Sequence, residues 1–397
     1  MPDPRPLAVH IITRLEPGGS SRNTVDSCAA LAADYDVVLL AGPHKDSARL
    51  LGLLPPVVSY IEVKALAREI SPLRDLSALL ELRRELARLR PAIVHTHTSK
   101  AGALGRLAAL LADLWRKERA LVVHTPHGHL LYGYYGPFKT FLFRTAERLL
   151  ARVTDYLIAL TPGEREESLA AGIGRRAQWR VVHSGVELSE PEAPARKRDL
   201  GIAPDETVIG TVARLEPVKG EEFFVRAAAL VGARRPGLKL RFVVVGGGSL
   251  EGRLRDLAGG LGLGGRILFT GHREDAASLM ACFDVYVQPS LNEAMGRAAL
   301  EAQALGAPAV VSRVCGLPDV VRDGETGLCV PPADPEALAE ALEKLLLDRE
   351  LRGRMGAAAR KWALSRDASG LPRFGVGSMT ARLSAFYRAI LAKPPPR

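Results

Sequence analysis

The sequence is poor in cysteine and has no long hydrophobic run. Its four cysteines, Cys28, Cys282, Cys315 and Cys329, show neither a C-x-x-C spacing nor a neighbouring histidine. This argues against a disulfide framework and against a structural zinc site. The first apolar stretch, Leu7–Ile12, is shorter than a signal-peptide core and far shorter than the about 20 residues of a membrane-spanning helix. Charged residues interrupt the longer stretch Ala101–Trp115, so we expect a reduced, cytoplasmic protein without a membrane span.

Clusters of basic residues are also missing. The sequence contains no run of five basic residues and no zinc-finger or basic-zipper pattern, although its formal net charge is +10. A positive charge favours anionic partners, which include nucleic acid, phospholipid and phosphorylated substrates. Because the motifs of nucleic-acid binding are absent, we expect no nucleic-acid partner.

Short runs of β-branched residues alternate with longer amphipathic segments along the 397 residues. This alternation is typical of parallel sheets covered by helices on both faces, and the length allows two domains. The first series of predicted strands comprises Leu7–Ile12, Tyr35–Leu40, Val57–Val63, Ala92–His95, Leu121–His124 and Tyr156–Leu160. The second series comprises Val208–Ala213, Leu240–Val245, Ile267–Phe269, Val285–Gln288, Pro308–Val311 and Gly327–Val330.

The segment from Glu187 to Glu206 separates the two series, because it has no periodicity and is rich in Pro, Glu, Arg and Lys. We predict a first domain over 1–187, a linker over 188–206 and a second domain over 207–360. A tail over 361–397 contains a helix near Met379–Leu391, which we expect to return to the first domain, and a frayed Lys-Pro-Pro-Pro-Arg end. The predicted fold class is α/β, with two Rossmann-like, doubly wound parallel sheets facing a cleft between the domains.

The loop after the predicted strand Val208–Ala213 carries two cations. Arg214 and Lys219 lie five residues apart around a turn stiffened by Pro217. The planar fork of an arginine and the point charge of a lysine suit a diphosphate, although two solvated surface cations would have the same appearance. The glycine-rich turn over 246–248 lacks the third glycine of the dinucleotide fingerprint, which argues against an NAD-dependent dehydrogenase.

The segment over 288–308 gives the strongest signal in the sequence. A loop carries Glu293, and a helix that begins near Gly296 carries Glu301. The free backbone amides of Met295, Gly296 and Arg297 are expected to face an anion at the start of this helix. The two glutamates accept hydrogen bonds from hydroxyl groups, so the segment suits a sugar attached to a nucleoside diphosphate. Either glutamate alone would be explained as a partner of the helix dipole or as a solvated side chain.

These motifs resemble the signature of the family 4 retaining glycosyltransferases, which have the GT-B fold. The resemblance rests on Arg-x-x-x-x-Lys-Gly from Arg214, on the two glutamates separated by seven residues, and on Glu-Ala-x-Ala-x-Gly-x-Pro from Glu301. It continues through Gly316-Leu-Pro-Asp and Asp323-Gly-Glu-Thr-Gly, and it covers nearly the whole chain. The blocks around the histidines of the first half look like the bacterial polysaccharide and lipopolysaccharide branch.

The resemblance implies roles for individual residues. Arg214 and Lys219 would bind the donor diphosphate, Glu301 the ribose hydroxyls, and Glu293 with nearby amides the transferred sugar. The candidates for donor diphosphate and nucleotide binding are thus Gly18, Gly19, Arg214, Lys219, Gly296, Arg297, Glu301, His272 and Arg273. The last two correspond to the segment that lies against the nucleobase. The family also implies retention at the anomeric carbon. We expect no metal ion to be required, because the protein cations take that role.

Two groups of residues in the first half follow predicted strands. Gly18 and Gly19 follow the first strand, and the resemblance implies that they close over the donor. The His-Gly pair at 127–128 resembles the family's active-site position beside the transferred sugar. The catalytic candidates are therefore His127, Glu293, Arg214 and Lys219, and the donor-sugar candidates are His127, Glu293, Met295 and Gly296.

The remaining histidines near these strands have a simpler explanation. His95, His97, His124 and His129 are expected to make structural hydrogen bonds in the core or in loops. A zinc site is conceivable, but no His-Glu-x-x-His pattern or helical histidine pair is present, so we expect no metal.

Aromatic and basic residues are concentrated over 130–152. On a helix that begins near Pro137, Phe138, Phe141, Leu142 and Leu149 would share one face, beside a stripe of arginines. Such a face suits an anionic membrane surface that carries a lipid-linked acceptor, but it equally suits packing against the sheet. Both explanations stay open at this stage.

The sequence therefore predicts a glycosyltransferase of the hexosyl or N-acetylhexosaminyl type. It would move a sugar from a UDP- or GDP-linked donor to a hydroxyl of a glycan or lipid-linked acceptor, without a further cofactor. We expect it in the cytoplasm, including the inner face of the membrane. Two alternatives remain, a sugar-nucleotide epimerase of the same fold and a non-catalytic module that binds membranes.

Overall fold

The computed structural model describes residues 5–114, 116 and 118–392, and it divides into two compact units. The first unit comprises the chain up to Leu131, Tyr135–Gly185 and the chain from Val376 onward. The second unit comprises Tyr132–Tyr134 and Val186–Gly375. The Lys-Pro-Pro-Pro-Arg end, predicted to be frayed, lies outside the described residues.

The first unit is built on a seven-stranded parallel sheet. Its strands are β1 (Leu7–Arg14), β2 (Asp36–Gly42), β3 (Ser59–Glu62), β4 (Ile93–His97), β5 (Leu121–Thr125), β6 (Tyr156–Ala159) and β7 (Trp179–Val181). The spatial order is β3-β2-β1-β4-β5-β6-β7. All six predicted strands are present with small shifts at their ends. The prediction missed β7, because three residues are too few to show a pattern.

Helices cover both faces of this sheet. They are α1 (Gly19–Leu31), α2 (Ser47–Leu51), α3 (Pro72–Leu89), α4 (Ser99–Asp113), α5 (Pro137–Leu150) and α6 (Pro162–Ala170). Successive residues of β1 alternate between the two faces. Ala8 and Ile12 enter the core under α1, whereas Val9 and Ile11 enter the core under α3 and α4. Because both faces are buried, the central strands are rich in apolar residues, with buried histidines and threonines in β4 and β5.

The second unit is built on a six-stranded parallel sheet. Its strands are β8 (Thr207–Val212), β9 (Leu240–Val245), β10 (Ile267–Gly271), β11 (Val285–Gln288), β12 (Ala309–Ser312) and β13 (Gly327–Val330), in the order β10-β9-β8-β11-β12-β13. Its helices are α7 (Glu221–Arg234), α8 (Glu251–Gly260), α9 (Ala276–Met280), α10 (Arg297–Ala304), α11 (Leu317–Val320), α12 (Pro335–Leu347) and α13 (Arg349–Ala363). The predicted fold class, two doubly wound parallel sheets, is confirmed.

The boundaries of the units differ from the predicted ones. The segment predicted as a linker over 188–206 belongs to the second unit and contains a 3-10 turn, Lys197–Leu200. The predicted tail begins at 361. The second unit, however, extends past the end of α13 to Gly375. The last helix, α14 (Val376–Ala392), belongs to the first unit and packs on α1. None of the described helices is long and apolar enough to cross a membrane.

An ion pair attaches helix α5 to α4. Leu150 is its single buried residue among those described, while Phe138, Phe141, Leu142 and Leu149 are exposed. Packing against the sheet, one of the two explanations for its apolar face, is therefore wrong. The attachment comes from Arg106 of α4, which is fully buried and donates from Nη2 to both oxygens of Glu147 over 2.9 and 2.8 Å.

The Arg106–Glu147 pair yields a stability prediction. Replacement Glu147→Gln leaves a buried guanidinium without its counter-charge, and breaking a buried pair in this way costs about 3 kcal/mol of unfolding free energy. The double replacement Arg106→Met with Glu147→Met removes both charges and should recover most of that loss. Urea unfolding of the three proteins measures the difference. Equal losses in the single and double variants would show that packing, and not the uncompensated charge, dominates.

Candidate functional site

The carboxyl ends of β8 and β11 lie side by side because these strands are neighbours in the second sheet. The loops that follow them are in contact, since the Leu291 amide donates to the Val218 carbonyl over 2.8 Å. Gly220 has a φ of 71°, and a Cβ there would lie 2.1 Å from the Pro289 carbonyl oxygen. Only glycine permits this approach. The predicted cation loop and the predicted glutamate loop therefore form one site.

Lys219 and Glu293 form an ion pair at the centre of this site. The Lys219 Nζ lies 2.5 Å from Glu293 Oε2, and Gln288 Nε2 donates to the same oxygen over 2.8 Å. Burial alone would lower the pKa of Lys219, but the Glu293 carboxylate outweighs burial and raises it. The two side chains remain 21% and 18% exposed. A ligand that enters the site meets both a lysine cation and a carboxylate.

Tyr286 forms the base of the site beneath these side chains. It is fully buried, and its hydroxyl lies 3.4 Å from Gln288 Oε1 and 3.4 Å from the Val212 carbonyl oxygen. Burial raises its pKa, and the carboxylates of Glu221, Glu301 and Glu293 raise it further. Three glutamates from different segments of the chain are therefore near enough to this hydroxyl to affect its pKa.

Glu301 lies on α10, one helical turn after Arg297. Burial raises the pKa of Glu301, whereas the neighbouring Arg297 lowers it and Glu187 raises it. Helix α10 begins at Arg297 with Gly296 as its cap, and Met295 is buried just before it. The positive end of this helix and the Lys219–Glu293 pair thus belong to the same loop region.

Sequence reasoning missed Glu221, the first residue of α7. Its Oε1 accepts a hydrogen bond from the Thr211 hydroxyl over 3.2 Å, and its Oε2 is buried without a hydrogen-bond partner among the described residues. Burial raises its pKa to about 8, so the carboxyl is largely protonated at neutral pH. The available signal was a glutamate directly after Lys-Gly, but glutamates in a first helical turn normally indicate only a favourable dipole interaction.

The glycine-rich turn lies beside the cation loop. The Leu215 amide donates to the Gly247 carbonyl over 3.0 Å, and a Cβ on Gly246 would lie 1.8 Å from the Ala213 carbonyl oxygen. Arg214 is close enough to Lys219 to lower the pKa of that lysine. The three loops that follow β8, β9 and β11 are therefore contiguous.

His272 and Arg273 follow β10, at the edge of the same sheet. His272 lies beside the glycine-rich turn, since a Cβ on Gly247 would be 3.5 Å from the Cβ of His272. Arg273 is exposed and donates to both oxygens of Asp275 over 2.7 Å each. Its guanidinium is therefore already engaged by a carboxylate, whereas His272 is free of that constraint.

The candidate residues of the first unit also follow strands. Gly18 caps α1 and Gly19 is its first residue, and a Cβ on Gly18 would meet nothing within 4 Å. His127 follows β5 with a φ of 56°, which is rare for a residue with a side chain. Its ring Nε2 lies 2.9 Å from His97 Nδ1.

A second residue that the sequence analysis missed holds the loop of His127. Glu164 is fully buried and accepts from the Gly128 amide over 2.8 Å and from the Leu160 amide over 2.7 Å. Burial raises the pKa of Glu164, while these two backbone hydrogen bonds lower it. The sequence shows Glu164 only as an acid in the first turn of α6, which masks its role.

The other histidines are buried or hydrogen-bonded, as expected. His124 Nδ1 contacts the Thr96 hydroxyl over 2.9 Å, and His129 Nε2 lies 2.6 Å from Glu167. His95 and His97 lie next to His10, which the sequence analysis did not consider. One ring nitrogen from each of these three residues lies within 4.8 Å of the others, a spacing that suits a metal ion.

Two family models match the chain. One is described as a Glycosyl transferase 4-like domain and matches residues 18–185. The other is described as Glycosyl transferases group 1 and matches residues 192–362. Together they cover both units.

Curated relatives match most of the chain. It is 31% identical over 324 residues to the UDP-Gal:alpha-D-GlcNAc-diphosphoundecaprenol alpha-1,3-galactosyltransferase of Escherichia coli. The matched region covers 80% of this chain and 81% of the relative. It is 33% identical over 317 residues to the D-inositol 3-phosphate glycosyltransferase of Corynebacterium glutamicum, with coverages of 76% and 72%. The crystal structure of Anabaena HepE in complex with UDP and glucose has a TM-score of 0.77 at 19% identity, with coverages of 97% and 100%.

The raised pKa of Glu221 predicts a pH-dependent stability. The folded protein keeps a proton on this carboxyl up to about pH 8, whereas the unfolded chain releases it near 4.5. The contribution of Glu221 is therefore fully present below pH 4.5 and falls by about 1.4 kcal/mol per pH unit until the pH passes the folded pKa. Replacement Glu221→Gln should remove this loss, so its advantage over the wild type grows as the pH rises.

Urea unfolding between about pH 5 and pH 8 measures this effect. The matched control is Glu222→Gln, the same change one residue further along α7 at a partly exposed position. We expect a parallel pH profile for the control and the wild type. A parallel profile for Glu221→Gln as well would contradict a raised pKa.

Proposed function

This chain belongs to the family 4 glycosyltransferases of GT-B fold, and we propose that it transfers a sugar from a nucleoside-diphosphate sugar to a hydroxyl group. The observation that carries the proposal is the cluster of Lys219, Glu293 and Gln288 beside the N-terminus of α10. A lysine and a helix end bind a diphosphate, while an adjacent carboxylate binds sugar hydroxyls. The name of the Escherichia coli relative contains such a donor, UDP-Gal.

The leaving diphosphate is the part of the donor that gains charge during transfer. We assign its stabilisation to Arg214, Lys219 and the amides at Gly296 and Arg297, which are fixed before the reaction begins. Since these groups supply positive charge, the proposed reaction is independent of a metal ion. Glu301 accepts hydrogen bonds from the ribose, and His272 with Arg273 lies against the nucleobase. UDP or GDP is the proposed nucleotide.

The transferred sugar is assigned to Glu293, Met295 and Gly296, and to His127, with Gly18 and Gly19 closing over the donor. Transfer is proposed to retain the anomeric configuration. The acceptor oxygen forms a bond to the anomeric carbon on the face from which the diphosphate departs, and a phosphate oxygen takes the acceptor's proton. The bond between that carbon and the diphosphate breaks, so no carboxylate nucleophile is required.

Donor binding has to separate the Lys219–Glu293 ion pair. The Lys219 ammonium is only 2.5 Å from Glu293. A diphosphate attracts the lysine, and a sugar hydroxyl then takes its place as a donor to the carboxylate. Nucleotide and sugar are thus recognised by the two halves of one ion pair.

The proposed acceptor is a glycan or a lipid-linked saccharide on the cytoplasmic face of a membrane. Phe138 of α5 is 74% exposed, and Phe141, Leu142 and Leu149 are exposed with it. The helix also carries Lys139 and Arg148, which are exposed. An apolar face flanked by cations suits an anionic membrane surface. The diphosphoundecaprenol in the name of the Escherichia coli relative is consistent with a lipid-linked acceptor.

The direct test is incubation with UDP- and GDP-linked hexoses and N-acetylhexosamines, with and without polyprenyl-diphosphate-linked saccharides. Mass spectrometry of the products distinguishes the functions. We expect a glycosylated acceptor and free nucleoside diphosphate. Acceptor-independent conversion of the donor to an isomer would identify an epimerase instead, and vesicle binding without turnover would identify a binding module.

Replacements of the two glutamates should separate the sugar from the nucleotide. Glu301→Gln should weaken UDP or GDP binding about ten- to a hundredfold, because hydrogen bonds to a carboxylate are replaced. Glu293→Gln should lower kcat/KM by a similar factor, yet leave nucleotide affinity unchanged or higher because Lys219 is released. Calorimetry and steady-state kinetics give both quantities. Parallel losses of nucleotide affinity in the two variants would contradict the assignment.

Membrane docking through α5 predicts that one negative charge on its apolar face weakens vesicle binding. Leu142→Glu should weaken binding to vesicles of phosphatidylglycerol and phosphatidylcholine at least about tenfold, since an apolar contact is replaced by a repelled carboxylate. Leu347→Glu on α12 is the matched control, because Leu347 is 56% exposed and Leu142 is 50% exposed. Vesicle sedimentation compares the two. Equal binding by both variants would contradict a docking role for α5.

A further inference from the structure

Four polar side chains lie on one buried face of the first sheet. His10 of β1 is the register partner of His95 on β4, and His97 follows two residues later on the same face. Tyr387 of α14 covers them, and all four side chains are buried. A buried polar cluster in an apolar core must satisfy its own hydrogen bonds.

Tyr387 joins two of the histidines. Its hydroxyl lies 2.7 Å from His95 Nδ1 and 3.4 Å from His10 Nε2. The other nitrogen of His95, Nε2, lies 2.8 Å from the hydroxyl of Thr125. One end of the arrangement is therefore closed by a threonine at the end of β5.

The other end leads to the candidate catalytic histidine. His10 Nδ1 lies 3.0 Å from His97 Nε2, and His97 Nδ1 lies 2.9 Å from His127 Nε2. The rings of His97 and His127 are stacked with centroids 5.2 Å apart. The unbroken sequence of contacts, hereafter the histidine chain, comprises Thr125, His95, Tyr387, His10, His97 and His127.

With the Tyr387 hydroxyl donating to one histidine and accepting from the other, proton accounting allows the histidine chain two arrangements. Each contact holds one proton, and a neutral imidazole has one donor and one acceptor nitrogen. If His127 Nε2 donates to His97, then each following link is fixed in turn as far as Thr125. If His127 Nε2 accepts, every link is reversed. The tautomer of His127 is therefore coupled to that of His10.

Neutrality of the rings is a condition of this coupling, because a protonated imidazole has two donors. Burial lowers the pKa of His10 to about 3. Burial also lowers the pKa values of His95 and His97 well below the ordinary value, and the neighbouring histidines lower them further. All three rings are neutral at physiological pH.

We propose that the histidine chain is a positioning device that fixes the tautomer and ring orientation of His127, with Tyr387 as its central link. The role of His127 in transfer rests on the proposed function, whereas the coupling of tautomers does not. His10, His95, His97 and Tyr387 are positioning residues, since they act on a substrate only through His127. A fixed tautomer presents a defined donor or acceptor to the sugar, which is the requirement for a pre-organised site.

A metal ion held by His10, His95 and His97 is the competing explanation of the same cluster. Both ring nitrogens of each residue already have protein partners. A metal would need three of these nitrogens as ligands and would break the hydrogen bonds that those nitrogens make. The hydrogen-bonded arrangement therefore accounts for all six nitrogens, which a metal centre does not.

The replacement Tyr387→Phe tests the proposal, because it removes the central hydroxyl and keeps the ring. The matched control is Tyr35→Phe in the same core, where the Tyr35 ring meets that of Tyr387 edge-on at 5.5 Å. Nitrogen-15 labelling of the nine histidines distinguishes protonated from unprotonated ring nitrogens. Variants of single histidines assign the signals. Circular dichroism melting verifies that both tyrosine variants are folded.

We expect Tyr387→Phe to change the tautomer populations of His10, His97 and His127, and Tyr35→Phe to leave them unchanged. An unchanged His127 tautomer in folded Tyr387→Phe would overturn the proposal. So would one equivalent of zinc in the purified protein that is lost in His10→Phe. These readouts do not depend on turnover, so they separate this proposal from the proposed function.

Kinetics supply the second readout. Tyr387→Phe should lower kcat about three- to tenfold, the effect of one lost neutral hydrogen bond, with the donor KM unchanged. Tyr35→Phe should retain the wild-type kcat. A fall in kcat that is equal in both variants would show a general packing effect and would overturn the positioning role.

Discussion

The second unit depends on one constraint, the adjacency of β8 and β11 in a parallel sheet. Parallel strands end at the same side, so the loops that follow them must share space. Gly220 and the Leu291–Val218 hydrogen bond bring those loops into contact, and the Lys219–Glu293 pair follows from that contact. A cation and a carboxylate 74 positions apart in sequence are thereby joined in one ion pair. Tyr286 and Gln288 of β11 supply the rigid base beneath it.

The residues at the carboxyl ends of the strands differ in charge between the two units. In the second unit the loops after the strands hold full charges, which suit a diphosphate. In the first unit the strand ends hold neutral rings, which transmit orientation and not charge. The difference follows from burial, because His10 and His97 are fully buried, whereas Lys219 and Glu293 remain about a fifth exposed. Charge is retained where a ligand can neutralise it and avoided where nothing can.

Much of this could be predicted from the sequence, because local pattern and strand order determine it. The alternation of apolar runs gives twelve of the strands. The family resemblance pairs the loop of Arg214 and Lys219 with the loop of Glu293, and these two loops are in contact. Three features could not be predicted. Glu221 and Glu164 look like ordinary acids in a first helical turn, and only burial distinguishes them. The role of His10 depends on register and on a helix more than 370 positions later in the chain, neither of which a local pattern encodes.

The return of α14 to the first unit explains why that histidine chain is possible at all. Helix α14 joins α1 in covering one face of the sheet, and it contributes Met379, Leu383, Tyr387 and Ile390. Leu383 and Ile390 contribute burial, and Met379 Sδ also accepts hydrogen bonds from Asn23 Nδ2 and from the Gly185 amide. Tyr387 adds a hydroxyl within reach of two histidines. Ser384 secures the helix by donating to Asp34 over 2.7 Å. Because α14 also supplies the central link, the histidine chain forms only when α14 has packed onto the first unit.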